Sequence, residues 1–92
     1  MFAHLDEQAL RRSALAALKA QAIPRDPPLQ ILGGHGSGET CPVCGHLIEP
    51  AEMELELEFA PPEGGQALPE LHLHLRCFEA WEVVRTAVTP GP

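Results

Sequence analysis

The sequence predicts a small α+β fold with a helix near each end of the chain and a β-hairpin between them. Apolar residues recur at helical spacing near both ends, and they alternate with polar residues in two central runs. A chain of 92 residues has room for one small domain, and aromatic residues make up only 4% of it. The core is therefore thin and mostly aliphatic, so we expect something besides burial to stabilise the fold.

The N-terminal segment, residues 1–23, is predicted to form an amphipathic helix. Its apolar residues fall on one stripe at steps of three and four: Leu10, Ala14, Ala17, Leu18 and Ala22. Asp6 suits the N-cap, Glu7 lies near the positive end of the helix dipole, and Pro24 ends the helix. Residues 24–40 are rich in proline and glycine, and this composition predicts a linker or loop.

Two alternating runs predict the hairpin. Residues 53–59 alternate between apolar side chains and glutamates, and residues 71–75 alternate between leucine and histidine. A period of two is typical of a half-buried strand. The intervening residues 60–69 include three prolines and two glycines, which predict a long connecting loop. If the strands pair antiparallel with their leucine faces together, the glutamates lie opposite the histidines.

From Cys77 onward the apolar spacing becomes helical. The predicted stripe consists of Phe78, Trp81, Val84 or Arg85, and Val88. We expect Trp81 to close the core against Leu55 and Leu57. The helix ends before Pro90, and residues 89–92 form a short tail.

The cysteines predict a metal site. Cys41 and Cys44 are separated by two residues, and Gly45 lets the backbone turn so that both sulfurs can bind one Zn²⁺. A second pair, His74 and Cys77, lies where the second strand meets the last helix, so a ring nitrogen and a sulfur can converge there. Residues 41–88 are therefore predicted to form a module around one structural zinc ion, whose ligands are Cys41, Cys44, His74 and Cys77.

Some alternatives to this assignment stay open. His72 shares a strand face with His74 and is the fallback for the fourth ligand. The C-x-x-C pair could also be a redox pair, or the thiols could be inert buried residues. A redox pair belongs at a strand-to-helix junction, however, and this motif is followed by Pro50 rather than by a helical pattern.

The predicted ligand set favours a structural zinc ion over a catalytic one. Three thiolates and a histidine close the coordination shell, and neither H-x-E nor H-E-x-x-H occurs in the chain. We therefore expect no enzymatic activity. Glu54, Glu56 or Glu58 could accept a hydrogen bond from the second nitrogen of His74, or these residues could simply form a solvated acidic face.

These motifs carry a resemblance to a known class of protein. A C-P-x-C-G knuckle, a β-hairpin and an H-x-x-C-F pair leading into a helix resemble a treble-clef zinc finger, and residues 74–78 are similar to the middle of a LIM finger. LIM domains pair two zinc modules, whereas this chain has ligands for one. Together with the glycines of residues 33–38, the chain also resembles short uncharacterised bacterial zinc-binding proteins. The resemblance to the zinc finger covers about residues 39–88 and implies a fold and a metal, and the second resemblance, over the whole chain, implies no activity.

The charge distribution limits the function further. The net charge is −7, and all of it arises in residues 41–92, which contain nine glutamates and two arginines. Such a chain repels phosphate backbones, so binding to nucleic acid is disfavoured. An odd number of cysteines, with no secretory signal and no membrane span in the sequence, indicates a soluble cytoplasmic protein.

The function that fits these features is a protein-interaction adaptor, whose partner the sequence does not identify. Its binding surface would be the N-terminal helix and the acidic strand face, or else exposed apolar residues of the last helix, which include Trp81 only if that side chain does not close the core. A nucleic-acid-binding zinc finger and a small metal-dependent enzyme are the alternatives.

Overall fold

The computed structural model describes residues 6–61, 65 and 70–87, so Val88 and the predicted tail 89–92 lie outside the described residues. The elements in chain order are α1 (Glu7–Lys19), β1 (Gln30–His35), β2 (Met53–Glu58), β3 (Leu71–His74) and α2 (Leu75–Ala87). The strands form one antiparallel sheet in the order β1-β2-β3, which confirms the predicted α+β class. Within the described ranges, no helix has the length and apolar character that a membrane span requires.

Helix α1 is amphipathic, as predicted, and packs against α2. The Asp6 carboxylate accepts a hydrogen bond of 2.7 Å from the backbone N–H of Ala9, which confirms the expected N-cap. The buried residues of α1 are Leu10, Ala14, Ala17 and Leu18. The expectation for Ala22 is wrong, because Gln21 turns the chain with a φ of 62° and buries Ile23 instead.

Strand β1 lies inside the segment that the sequence predicts as a linker or loop. It pairs antiparallel with β2 over six positions, from Gln30 opposite Glu58 to His35 opposite Met53. The sequence pattern does not reveal this strand because it contains two adjacent glycines and lacks apolar alternation. Pairing with β2, a contact between distant parts of the chain, is what makes these residues extended.

The predicted hairpin is confirmed by strands β2 and β3. Its register places Glu54 opposite His74 and Glu56 opposite His72, so glutamates face histidines as expected. Helix α2 packs on the other face of β2 and β3 and begins at Leu75, two residues earlier than the apolar pattern predicts.

Trp81 lies in the core, as the sequence predicts. Its side chain is fully buried, and its ring contacts Phe59 edge-on with 6.0 Å between centroids and Phe78 with 5.7 Å. Leu57 is buried in the same core, and Leu55 packs against it. Trp81, Phe59 and Phe78 therefore form an aromatic cluster in a core that is otherwise mostly aliphatic.

The turn after β1 is hydrogen-bonded to the segment that precedes β2. The backbone N–H of Gly36 donates to the carbonyl of Glu52, and that of Gly38 donates to the carbonyl of Ile48, each at 2.9 Å. At Gly36 the two segments are so close that a Cβ atom would lie 2.0 Å from the carbonyl oxygen of Glu49. Position 36 therefore requires glycine, because the two backbones approach each other closely there. The same close approach places residues 36–38 beside the turn that contains Cys41 and Cys44.

Candidate metal centre

The structure brings the four predicted metal ligands together. One ligand atom from each residue lies within 4.8 Å of the others, in the group Cys41, Cys44, His74 and Cys77. Cys41 and Cys77 are fully buried, His74 is 2% exposed and Cys44 is half-buried. Three thiols and one imidazole are a donor set that binds divalent metal ions in four-coordinate structural sites. The chain thus contains a Cys₃His cluster that can hold a metal ion.

A tight turn supplies the first two ligands. The N–H of Gly45 donates to the carbonyl of Cys41 at 2.8 Å, and the N–H of Cys41 donates to the carbonyl of His46 at 2.9 Å. Gly45 has a φ of 77°, a left-handed conformation that glycine adopts without steric cost. This turn brings Cys44 back beside Cys41, which is the role that the sequence predicts for Gly45.

The junction of β3 and α2 supplies the other two ligands. His74 is the last residue of β3, and Cys77 lies in the first turn of α2. The Nδ1 atom of His74 is 3.4 Å from the sulfur of Cys44 and 4.0 Å from the sulfur of Cys77. His74 rather than His72 therefore has its ring among the thiols, and Nδ1 is the atom that faces them.

The carboxylate that orients His74 belongs to Glu52, and the expectation that Glu54, Glu56 or Glu58 would do so is wrong. The Nε2 atom of His74 lies 3.0 Å from Oε1 of Glu52. That carboxylate is held in place because it also accepts a hydrogen bond of 2.9 Å from the N–H of Glu49. A proton on Nε2 leaves the lone pair of Nδ1 directed at the cysteines, which is the tautomer that a metal ligand needs.

Glu52→Ala is expected to weaken metal binding without unfolding the metal-loaded chain. Loss of the carboxylate that orients a histidine ligand lowers metal affinity by about 10 to 100-fold. Competition titration of Zn²⁺ against a chelator measures the effect. Glu58→Ala is the matched control, since this glutamate lies at the far end of β2, the strand that begins directly after Glu52. Equal zinc affinities for the two variants would contradict a positioning role for Glu52.

The thiols of the cluster shift one another's pKa values, because ionisation of one disfavours ionisation of the others. A hydrogen bond from the Cys77 thiol lowers the pKa of Cys41 to about 4, although burial opposes this shift. The same contact raises the pKa of Cys77, and burial raises the pKa of Cys44. Three thiols so close together, two of them fully buried, cannot all ionise unless a cation compensates their charge. A divalent metal ion provides that compensation.

Beside the cluster, Glu54 is buried, although the alternation of β2 predicts a solvated side chain. Its Oε1 accepts hydrogen bonds from the backbone N–H and the hydroxyl of Ser37, at 2.8 and 2.7 Å. Its Oε2 lies 2.6 Å from Nδ1 of His72. Burial raises the pKa of Glu54, but the bonds from His72 and Ser37 outweigh it and lower that pKa overall. The turn after β1 covers this carboxylate, an effect that the alternation of one strand cannot reveal.

The Glu54–His72 pair makes stability depend on pH. Burial lowers the pKa of His72, but the hydrogen bond and charge of Glu54 outweigh it and raise that pKa overall. The stabilisation is therefore complete below the ordinary histidine pKa of about 6.5 and is lost as pH rises through the higher folded value. We expect the stability difference between the zinc-loaded wild type and His72→Gln to be larger at about pH 6 than at about pH 9.

Urea unfolding at the two pH values measures this difference. His35→Gln, a substitution at an exposed histidine on β1, at the opposite edge of the sheet, is the control and is expected to show no comparable change. A stability difference for His72→Gln that is constant or grows with pH would contradict the ion pair.

Together, the fold and the cluster define a small α+β protein with a Cys₃His group able to hold a metal ion. Comparison with known proteins adds no relative: no protein family, curated protein or solved structure matches the chain. The function must therefore be argued from the site and the surface of this chain.

Proposed function

We propose that this chain is a non-enzymatic zinc-binding protein in which one Zn²⁺ has a structural role. The observation that carries the proposal is the buried Cys₃His cluster, with Nδ1 of His74 directed at the cysteine sulfurs. Three thiolates and one imidazole fill a tetrahedral shell and leave no position for a water molecule or a substrate. Thiolate-rich tetrahedral sites select zinc over magnesium, calcium and manganese, which prefer oxygen ligands.

The order of the elements supports a treble-clef-like module. A cysteine-containing turn is followed by the β2–β3 hairpin and by helix α2, whose first turn carries the last ligand, Cys77. This is the arrangement that the resemblance to half of a LIM domain implies. Two ligands precede the hairpin, His74 ends its second strand and Cys77 follows it, so the metal ion would join segments about 30 residues apart, as in the pair Cys44 and His74.

Metal analysis of the purified chain tests the zinc assignment. We expect one zinc ion per chain, and we expect a strong chelator to remove it together with the helical circular dichroism signal. Clearly less than one zinc per chain, or an unchanged dichroism spectrum after zinc removal, would contradict a structural zinc ion.

We further infer that the protein acts as an adaptor that binds another protein through its acidic strand face. The carboxylates of Glu56, Glu58 and Glu70 lie within 4.8 Å of one another on this face. Such a concentration of negative charge attracts a basic protein surface and repels nucleic acid. The other two candidate surfaces are used inside the fold, since the apolar stripe of α1 packs on α2 and Trp81 is fully buried.

Affinity capture with two double variants tests the adaptor role. Glu56→Gln/Glu58→Gln removes two charges from the acidic face, and Asp26→Asn/Glu79→Gln removes two exposed charges elsewhere. We expect a specific partner of the wild type to be lost from the first variant, retained by the second and released by added salt. Equal capture by both variants would contradict the acidic face as the binding surface.

A further inference from the structure

We propose that strand β1 pairs antiparallel with β1 of a second copy of this chain, which joins two sheets into one. β1 is an edge strand: it pairs with β2 on one side, and no strand in the described part of the chain pairs with its other side. All six of its residues are exposed. Large apolar side chains are among those in and beside it, with Leu29 71%, Ile31 44% and Leu32 45% exposed.

The outer edge of β1 has backbone groups ready for pairing. The N–H of Gly36 donates to Glu52 in the ladder with β2, so the even-numbered residues of β1 direct their N–H and C=O groups toward β2. Ile31, Gly33 and His35 therefore direct theirs outward. Natural edge strands are blocked by charged residues, prolines or bulges. Residues 30–38 contain no proline, lysine, arginine, aspartate or glutamate, and the register of β1 with β2 is continuous from Gln30 to His35. The N–H of Leu29, just before the strand, also donates to the carbonyl of Glu58, the residue opposite Gln30.

The side chains of β1 are complementary to those of a second, antiparallel β1. One half of the strand carries bulky residues, and the other half carries Gly33 and Gly34. Pairing about Leu32 places Ile31 beside Gly33 of the second copy and Gln30 beside Gly34 of the second copy. No atom lies within 4 Å of the position where a Cβ of Gly34 would be, so the Gln30 side chain of the second copy has open space there. The two Leu32 side chains then meet at the two-fold axis.

Side-chain complementarity identifies a second copy as the occupant of this edge, and charge does not prevent its binding. Each chain carries −7, but strand β1 holds none of the charged residues, whereas β2 holds three glutamates. In the proposed dimer the two β2 strands are three strand spacings apart, about 14 Å. This separation exceeds the Debye length of about 8 Å at physiological salt, so the acidic strands repel each other weakly. A six-residue edge buries less than the roughly 1,200 Å² of a standard interface, and we expect a weak dimer.

Sedimentation of the zinc-loaded chain from about 10 μM to about 1 mM tests the proposal, since this range covers weak association. We expect the mass to rise with concentration from 9.9 kDa toward twice that value. Leu32→Lys places a lysine opposite Glu56 within the same sheet, which the monomer accommodates, but it brings two lysines together at the two-fold axis. We expect this variant to associate at least about tenfold more weakly than the wild type.

Two further samples test whether the effect of Leu32→Lys is specific to the edge of β1. Val83→Lys makes the same change at a residue of α2 that is 40% exposed, and it is expected to dimerise like the wild type. A mixture of Leu32→Lys with Leu32→Glu is expected to form a mixed dimer, because opposite charges then meet at the axis. A wild-type chain that stays monomeric at about 1 mM, or a Leu32→Lys chain that dimerises as strongly as the wild type, would overturn the proposal.

Discussion

Cys77→Ser is expected to leave the chain unfolded at 25 °C. Zinc binding contributes about 10–16 kcal/mol in apparent terms to the folding of isolated zinc fingers. A domain of this size has a net free energy of unfolding of roughly 5–14 kcal/mol. The metal contribution is therefore comparable to or larger than the whole free energy of unfolding. A chain that cannot complete the metal coordination shell loses its native state. Far-UV circular dichroism and urea unfolding measure the effect.

The matched control for this substitution is Val83→Ser, which puts serine at an exposed position of the same helix and is expected to fold. Cys41→Ser is expected to behave like Cys77→Ser, since both thiols are fully buried in the cluster. A Cys77→Ser chain that shows a cooperative unfolding transition after purification with chelator would contradict the structural role of the metal ion.

Gly36→Ala is expected to lower the free energy of unfolding by about 3–5 kcal/mol. The added Cβ would lie 2.0 Å from the carbonyl oxygen of Glu49, and that oxygen belongs to the backbone, so the two segments must separate. Separation breaks the hydrogen bonds from Gly36 to Glu52 and from Gly38 to Ile48. Urea unfolding of the zinc-loaded chain at micromolar concentration measures the loss.

Gly34→Ala is the control for this substitution. It makes the same chemical change two residues away, where no atom lies within 4 Å of the new Cβ. Its expected effect is a stabilisation of about 0.4–1 kcal/mol, because alanine restricts the unfolded chain. Similar losses of stability in the two variants would show that the close approach at Gly36 is not what requires glycine there.

Local patterns account for what the sequence predicted correctly. The C-x-x-C and H-x-x-C spacings placed each ligand pair on one turn, so the cluster of Cys41, Cys44, His74 and Cys77 followed once the two pairs met. Alternation of apolar residues likewise predicted β2 and β3, and helical spacing predicted most of the buried face of α1. In each case, residues that are close in sequence determine the structure.

The features that the sequence did not predict are determined by contacts between distant segments of the chain. Strand β1 is extended because β2 lies beside it, and its own residues carry no strand pattern. Glu54 is buried because Ser37 covers it, and this leaves Glu52, just outside the strand, to bind His74. Alternation shows which residues share a face, but it does not show which of them another loop will cover.

X-ray absorption at the zinc edge of the purified chain tests the central claim most directly. A closed Cys₃His shell predicts three sulfur atoms at about 2.3 Å and one nitrogen atom at about 2.0 Å from each zinc ion. The Cys77→Ser chain, if it retains any zinc, is expected to show fewer sulfur neighbours. A wild-type spectrum with fewer than three sulfur atoms, or one dominated by oxygen neighbours, would contradict the account.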